Sequence, residues 1–112
     1  MKRLIAVLVA VAAVAAAIAV PALAATKTVK VGPQRTFGPK SLSINSGDTV
    51  KFQWTGSQPH NIVITKGPGI TKNKTIAGVR TKGIVLKKFN TKGSYTIVCQ
   101  IHAGMTLKLK VS

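Results

Sequence analysis

Two kinds of hydrophobic pattern divide this chain. The first is continuous: Leu4 to Val20 is an unbroken apolar run. The second alternates, and begins after Ala25. Thr28 to Val31 alternates and is broken by Gly32-Pro33; Ser41 to Ile44 alternates and turns at Asn45-Ser46-Gly47-Asp48. Thr49 to Trp54 places Val50, Phe52 and Trp54 on one face. Asn61 to Ile64 is a short apolar strand ending before Gly67-Pro68-Gly69, and Ile84 to Phe89 is another, ended by the turn residues Asn90 to Gly93. Tyr95 to Cys99 puts Tyr95, Ile97 and Cys99 on one face, and Leu107 to Val111 alternates strictly with Lys108 and Lys110. Period-two alternation bounded by turn residues predicts half-buried strands. No helical periodicity follows Ala25. Seven or eight short strands at this spacing predict an all-β fold, a small antiparallel sandwich. Lys108 and Lys110 are expected to guard the last strand against edge-to-edge association. Residues 70–82, rich in Thr, Lys and Gly, carry no readable pattern.

The continuous run is a different object. Met1-Lys2-Arg3 supplies a short positive region before it, and Ala22-Leu23-Ala24 after it is a small-residue cleavage pattern. This is the layout of a secretory signal peptide over residues 1–24, leaving one domain over 25–112. An uncleaved membrane anchor is the alternative, since the run falls just under a comfortable membrane span. No Cys follows the run closely and no twin arginine precedes it, which excludes a cysteine lipid anchor and a twin-arginine signal. The expected location is therefore outside the cytoplasmic membrane, periplasmic or extracellular.

Charge changes the picture of the surface. The whole chain has 17 Lys and Arg against one acid, Asp48. Without Lys2 and Arg3 the remaining fifteen against one give a formal charge of +14. So basic a domain suits an acidic partner protein, an anionic membrane or wall surface, or simple solubility. Nucleic acid is not the expected partner. The chain is exported, its basic residues are scattered, and Phe37, Phe52, Trp54, Phe89 and Tyr95 sit in patterns that suit a core rather than a base-stacking surface.

The chemistry is concentrated in one constellation. Beyond the leader the chain has one Cys, two His and one Met, and they fall as His60…Cys99-x-x-His102-x-x-Met105. An exported chain with a lone Cys needs a reason to keep it, and a metal-bound thiolate is one. Two imidazoles, a thiolate and a weak thioether are the donor set of a mononuclear blue copper site. Zinc would accept Cys and two His, but Met is a poor fourth ligand for it. Hard cations are disfavoured because Asp48 is the only carboxylate side chain. Gly104 permits the sharp bend that brings three donors of one turn together, and Pro59 stiffens the approach of His60. Catalysis is not expected: two histidines are too few for a multicopper oxidase, and no nucleophile motif accompanies either one.

At these residues the chain resembles the cupredoxins, of the plastocyanin/amicyanin-like group. Ser46-Gly47-Asp48-Thr49-Val50, Pro59-His60-Asn61 and Gly93 through Met105 carry the resemblance, which covers nearly all of residues 25–112. The Cys-x-x-His-x-x-Met spacing resembles the amicyanin-like members. The resemblance implies a Greek-key β-sandwich holding one copper, cycling between Cu(I) and Cu(II). It implies His60, Cys99 and His102 as strong ligands, Met105 as a weak axial one, and Asn61 behind them, joining the two ligand loops by a hydrogen bond. It also implies a monomeric one-electron carrier serving redox partner proteins; copper storage or delivery is the alternative role. The strong basic charge and the 66–80 segment depart from the usual family pattern.

Overall fold

The structure is a computed structural model and describes residues 23–112, so the signal-peptide expectation lies outside the described residues except for Leu23 and Ala24. Nine strands follow: β1 (Thr26–Val31), β2 (Phe37–Gly38), β3 (Ser41–Ile44), β4 (Thr49–Trp54), β5 (His60–Lys66), β6 (Lys74–Arg80), β7 (Ile84–Lys88), β8 (Gly93–Val98) and β9 (Thr106–Val111). They form two sheets, ordered β2-β1-β4-β7 and β3-β9-β8-β5-β6. The alternating segments became these strands because each has one apolar face to bury. Val29 and Val31 from β1 and Val50, Phe52 and Trp54 from β4 face the other sheet's Ile62, Ile64, Tyr95, Ile97, Leu107, Leu109 and Val111. Burying one such side chain is worth about 1.5–3 kcal/mol, so a dozen or more in one cluster offset much of the chain entropy lost on folding.

Three expectations need correction. The sandwich is not purely antiparallel: β1 pairs β4 in parallel, and β3 pairs β9 in parallel. Alternation reports which face is buried, not which way the neighbour runs. The chain leaves β1, passes through β2 and crosses to the other sheet as β3 before returning as β4, and that crossover lets two strands lie parallel. Second, β9 is an interior strand between β3 and β8. Lys108 and Lys110 are therefore solvent-facing residues of a covered strand and guard no edge. Third, β2 and β6 were not foreseen. β2 is two residues long, and β6 is an edge strand that fully buries only Ala77. Neither offers an alternating pattern to read.

One close approach fixes the end of the fold far from the histidines. Gly67 leaves β5 against the Tyr95 ring, so closely that a Cβ at 67 would collide with it. The Tyr95 hydroxyl in turn donates to the Thr91 carbonyl at 2.7 Å. The opposite end, where β4 stops and β5 starts, holds the chemistry.

Candidate metal centre

Cys99 stands one residue beyond β8 and is 3% exposed; a short loop runs from it to Met105, at the foot of β9. The loop closes on itself. The Cys99 N–H donates to the Met105 carbonyl at 3.0 Å, and the Met105 N–H donates to the His102 carbonyl at 3.3 Å. Gly104 lies at φ +80° with nothing near its would-be Cβ, so its role is the bend itself. His60 comes from the start of β5 and is fully buried. Trp54, ending β4, holds it: the indole Nε1–H donates to the His60 carbonyl at 3.2 Å.

These elements converge. His60 Nδ1 and His102 Nδ1 are 3.1 Å apart, and Cys99 Sγ lies 3.9 Å from the first and 3.7 Å from the second. The two rings meet edge-on, with centroids 4.8 Å apart. Two ring nitrogens and a sulfur aimed at one point leave lone pairs facing lone pairs unless a proton or a cation lies between them. Metal–nitrogen and metal–sulfur bonds of about 2.0–2.3 Å separate neighbouring donors by roughly 3–4 Å, so the spacing fits one ion. Burial, and secondarily the neighbouring His102, lowers the pKa of His60, which keeps that imidazole neutral and its lone pair free. Met105 is buried beside them in sequence and in the loop's hydrogen bonding.

Asn61 joins the two segments. Its Oδ1 accepts the Gln100 N–H at 2.7 Å and its Nδ2 donates to Gln100 Oε1 at 3.3 Å. Each predicted residue is thus at the same end of the sandwich: His60, Cys99 and His102 form the donor cluster, Asn61 ties their loops, and Met105 closes the turn.

Three contributors were not foreseen. Gln100 is the partner that makes Asn61 effective. Trp54 reads in sequence as core, and nothing there signals its bond to His60. Gly32, at φ +96°, passes so close that a Cβ would sit 2.5 Å from the Thr55 carbonyl oxygen and 3.4 Å from His60 Nε2. That Nε2 is buried and has no hydrogen-bond partner among the described residues. Behind the site, the Arg80 guanidinium lies 5.4 Å from the centre of the Trp54 ring, at a cation–π distance.

A two-sheet sandwich with one His-Cys-His cluster at its end defines a small single-site metalloprotein of cupredoxin type. The chain belongs to the family of copper binding proteins of the plastocyanin/azurin type, whose profile matches residues 24–112. It is 37% identical over 107 residues to a plastocyanin of Synechococcus sp., covering 82% of this chain and 77% of that one. It is 33% identical to the plastocyanin of Prochlorothrix hollandica, covering 77% and 71% of the two chains, and 30% identical to amicyanin-alpha of Methylorubrum extorquens, covering 79% and 73%. Among solved structures, a Cu(I) amicyanin variant shares the fold, with a TM-score of 0.68 at 20% identity over 78% of this chain and 82% of that one. Copper is thus the metal, and His60, Cys99, His102 and Met105 form the candidate site for a single ion.

Proposed function

We propose that this chain is an exported one-electron carrier that holds its copper through His60, Cys99 and His102, with Met105 as the weak fourth donor. The carrying observation is the convergence of three soft and borderline donors within 4.8 Å of one another on a hydrogen-bonded frame. Copper bound there supplies the Cu(I)/Cu(II) couple. The residues supply the rest. Burial of His60, Cys99 and Met105 keeps water from the donors. The Asn61–Gln100 bonds and the closed Cys99–Met105 loop hold the donors still, so little has to rearrange when charge changes. His102 is only half-buried, between exposed Ile101 and Ala103. It is the edge through which electrons exchange, and its apolar rim suits the small, weak interface of a redox encounter.

Export rests on the positive start, apolar run and Ala-x-Ala pattern of residues 1–24. Among the described residues no helix is long and apolar enough to cross a membrane. The partner is an acidic redox protein, steered by the lysine-rich surface. The test is copper loading with a visible spectrum, reversible voltammetry and an exchange assay. A carrier turns blue on oxidation and keeps its ion through repeated redox cycles in the presence of an apo-acceptor. Surrender of the ion to that acceptor would establish copper delivery instead.

A further inference from the structure

Asp48 is the chain's only acidic side chain, among seventeen basic ones. Electrostatics alone would seat it against a lysine. Yet among the described residues it makes no ion pair with any Lys or Arg side chain, and it is buried, at 4% exposed. Both its oxygens go to main-chain N–H groups. Oδ2 accepts from Asn45 at 2.9 Å, closing the β3–β4 turn, and Oδ1 accepts from Ala25 at 2.9 Å, across 23 residues of sequence. Ala25 is held on its other side too, since its carbonyl accepts the Thr49 N–H at 2.9 Å. The bonded fold begins there, while Leu23 is 92% exposed. Ala25 is also the residue that follows the small-residue pattern Ala22-Leu23-Ala24.

We propose that cleavage between Ala24 and Ala25 creates an α-ammonium group for which Asp48 is the built receptor. Hydrolysis of that peptide bond by one water leaves a carboxylate on Ala24 and an amine, protonated at neutral pH, on Ala25. The nitrogen that donates to Asp48 as a neutral amide in the uncut chain then donates as a cation. The same hydrogen bond becomes an ion pair, and charge-assisted bonds are the stronger kind. The carboxylate is already oriented by the Asn45 N–H, so the new charge meets a prepared partner. Lys27, the cation whose charge acts on Asp48, leaves the position free by donating its own Nζ to the Ser43 carbonyl at 2.9 Å. Processing thus pins β1 to the β3–β4 turn, where the parallel β1–β4 ladder starts. This rests on the exported reading above, but it is independent of the copper site at the other end.

The experiment uses the full chain expressed in an exporting host, with intact mass and two readouts. The first is a cycle: the natural chain, the chain with one Gly inserted between Ala24 and Ala25, and each of these with Asp48→Asn. The inserted Gly keeps the Ala25 amide donor and moves only the charge. The natural processed protein should begin at Ala25. Its unfolding equilibrium constant at about pH 6.5 should be about three- to tenfold smaller than that of the Gly-extended protein, and the gap should vanish in the Asp48→Asn background. The second readout needs no variant: mild amine modification should reach the α-amine of the folded protein about tenfold more slowly than that of the urea-unfolded protein. A terminus other than Ala25, a stability gap that ignores Asp48, or equal modification rates would overturn the proposal. Copper colour is scored separately, so a blue protein with the wrong terminus refutes this inference and leaves the carrier reading intact.

Discussion

Cys99 and Met105 are the two candidate sulfur donors of one seven-residue turn, and they are expected to answer to substitution differently. The thiolate carries the charge-transfer transition that colours such sites, so Cys99→Ser should abolish the blue band of the oxidised protein. The same band surviving in that variant would remove Cys99 from the site. A thioether in the weak axial position tunes potential more than affinity. Met105→Leu should retain copper and raise the reduction potential, because a donor that favours Cu(II) is lost. Voltammetry checks this; complete loss of copper or an unmoved potential would count against Met105 as a ligand. Asn61 acts through others. Removing its side chain breaks the bond to the Gln100 N–H and frees the Cys99–Met105 loop from β5. Asn61→Ala should still fold and bind copper but show a shifted potential and faster copper loss, by roughly tenfold or more. Copper loss at the natural rate would reduce Asn61 to a packing residue.

At the scale of elements, the β3–β4 turn is held by a carboxylate whose pKa is lowered by the Ala25 and Asn45 N–H groups, with help from the charge of Lys27. A depressed folded pKa adds stability that is fully present above the ordinary carboxylate value, about 3.9, and is lost as pH falls through the lower folded value. Stability should therefore not change with pH through Asp48 near neutrality, where its contribution is fully present, and should fall below about pH 4. Asp48→Asn should flatten that acid limb; an equally steep limb in the variant would place the loss elsewhere. The same scale shows what the sequence could say. β4, β8 and β9 were legible because each buries every second residue, and the ligand turn because it spends the chain's only Cys beside a His and the Met. β6 was hidden because an edge strand with one buried Ala has no hydrophobic rhythm. The parallel pairings were hidden because strand direction leaves no trace in which residues are apolar. Gly32 approaches His60 through its main chain from a segment more than twenty residues away, and Trp54 acts through its indole N–H on the His60 carbonyl; neither a distant close approach nor the partner of a core indole leaves a local signature.

At the scale of the molecule, fold and metal are separable. The core cluster of aliphatic and aromatic side chains is drawn from both sheets and most of it lies away from the donor end. The copper-free protein should therefore give dispersed amide resonances and slow hydrogen exchange in β4, β5, β8 and β9. Copper should still raise the melting temperature by binding the native state preferentially. An apo protein without protected amides would make the site a folding nucleus and contradict this picture.

Charge is the remaining molecular property, and it bears on how encounters are made. Fifteen cationic side chains lie in residues 25–112, and the one acid is buried in a turn, so the surface field of this domain is of a single sign. Such a field raises the rate at which an acidic partner arrives, and salt shortens its reach, to about 8 Å at physiological ionic strength. The half-buried His102 with Ile101 beside it is a different kind of surface, apolar and indifferent to salt. The two contributions separate in a stopped-flow salt series with an acidic and a basic cytochrome of similar potential. Electron transfer to the acidic one should be fast at low salt and fall steeply as salt rises. Transfer to the basic one should be slow and should rise as salt screens the repulsion. Both should converge at high salt on a common residual rate set by the apolar rim. Equal, flat rates with the two cytochromes would show that the lysines keep the protein soluble and steer nothing.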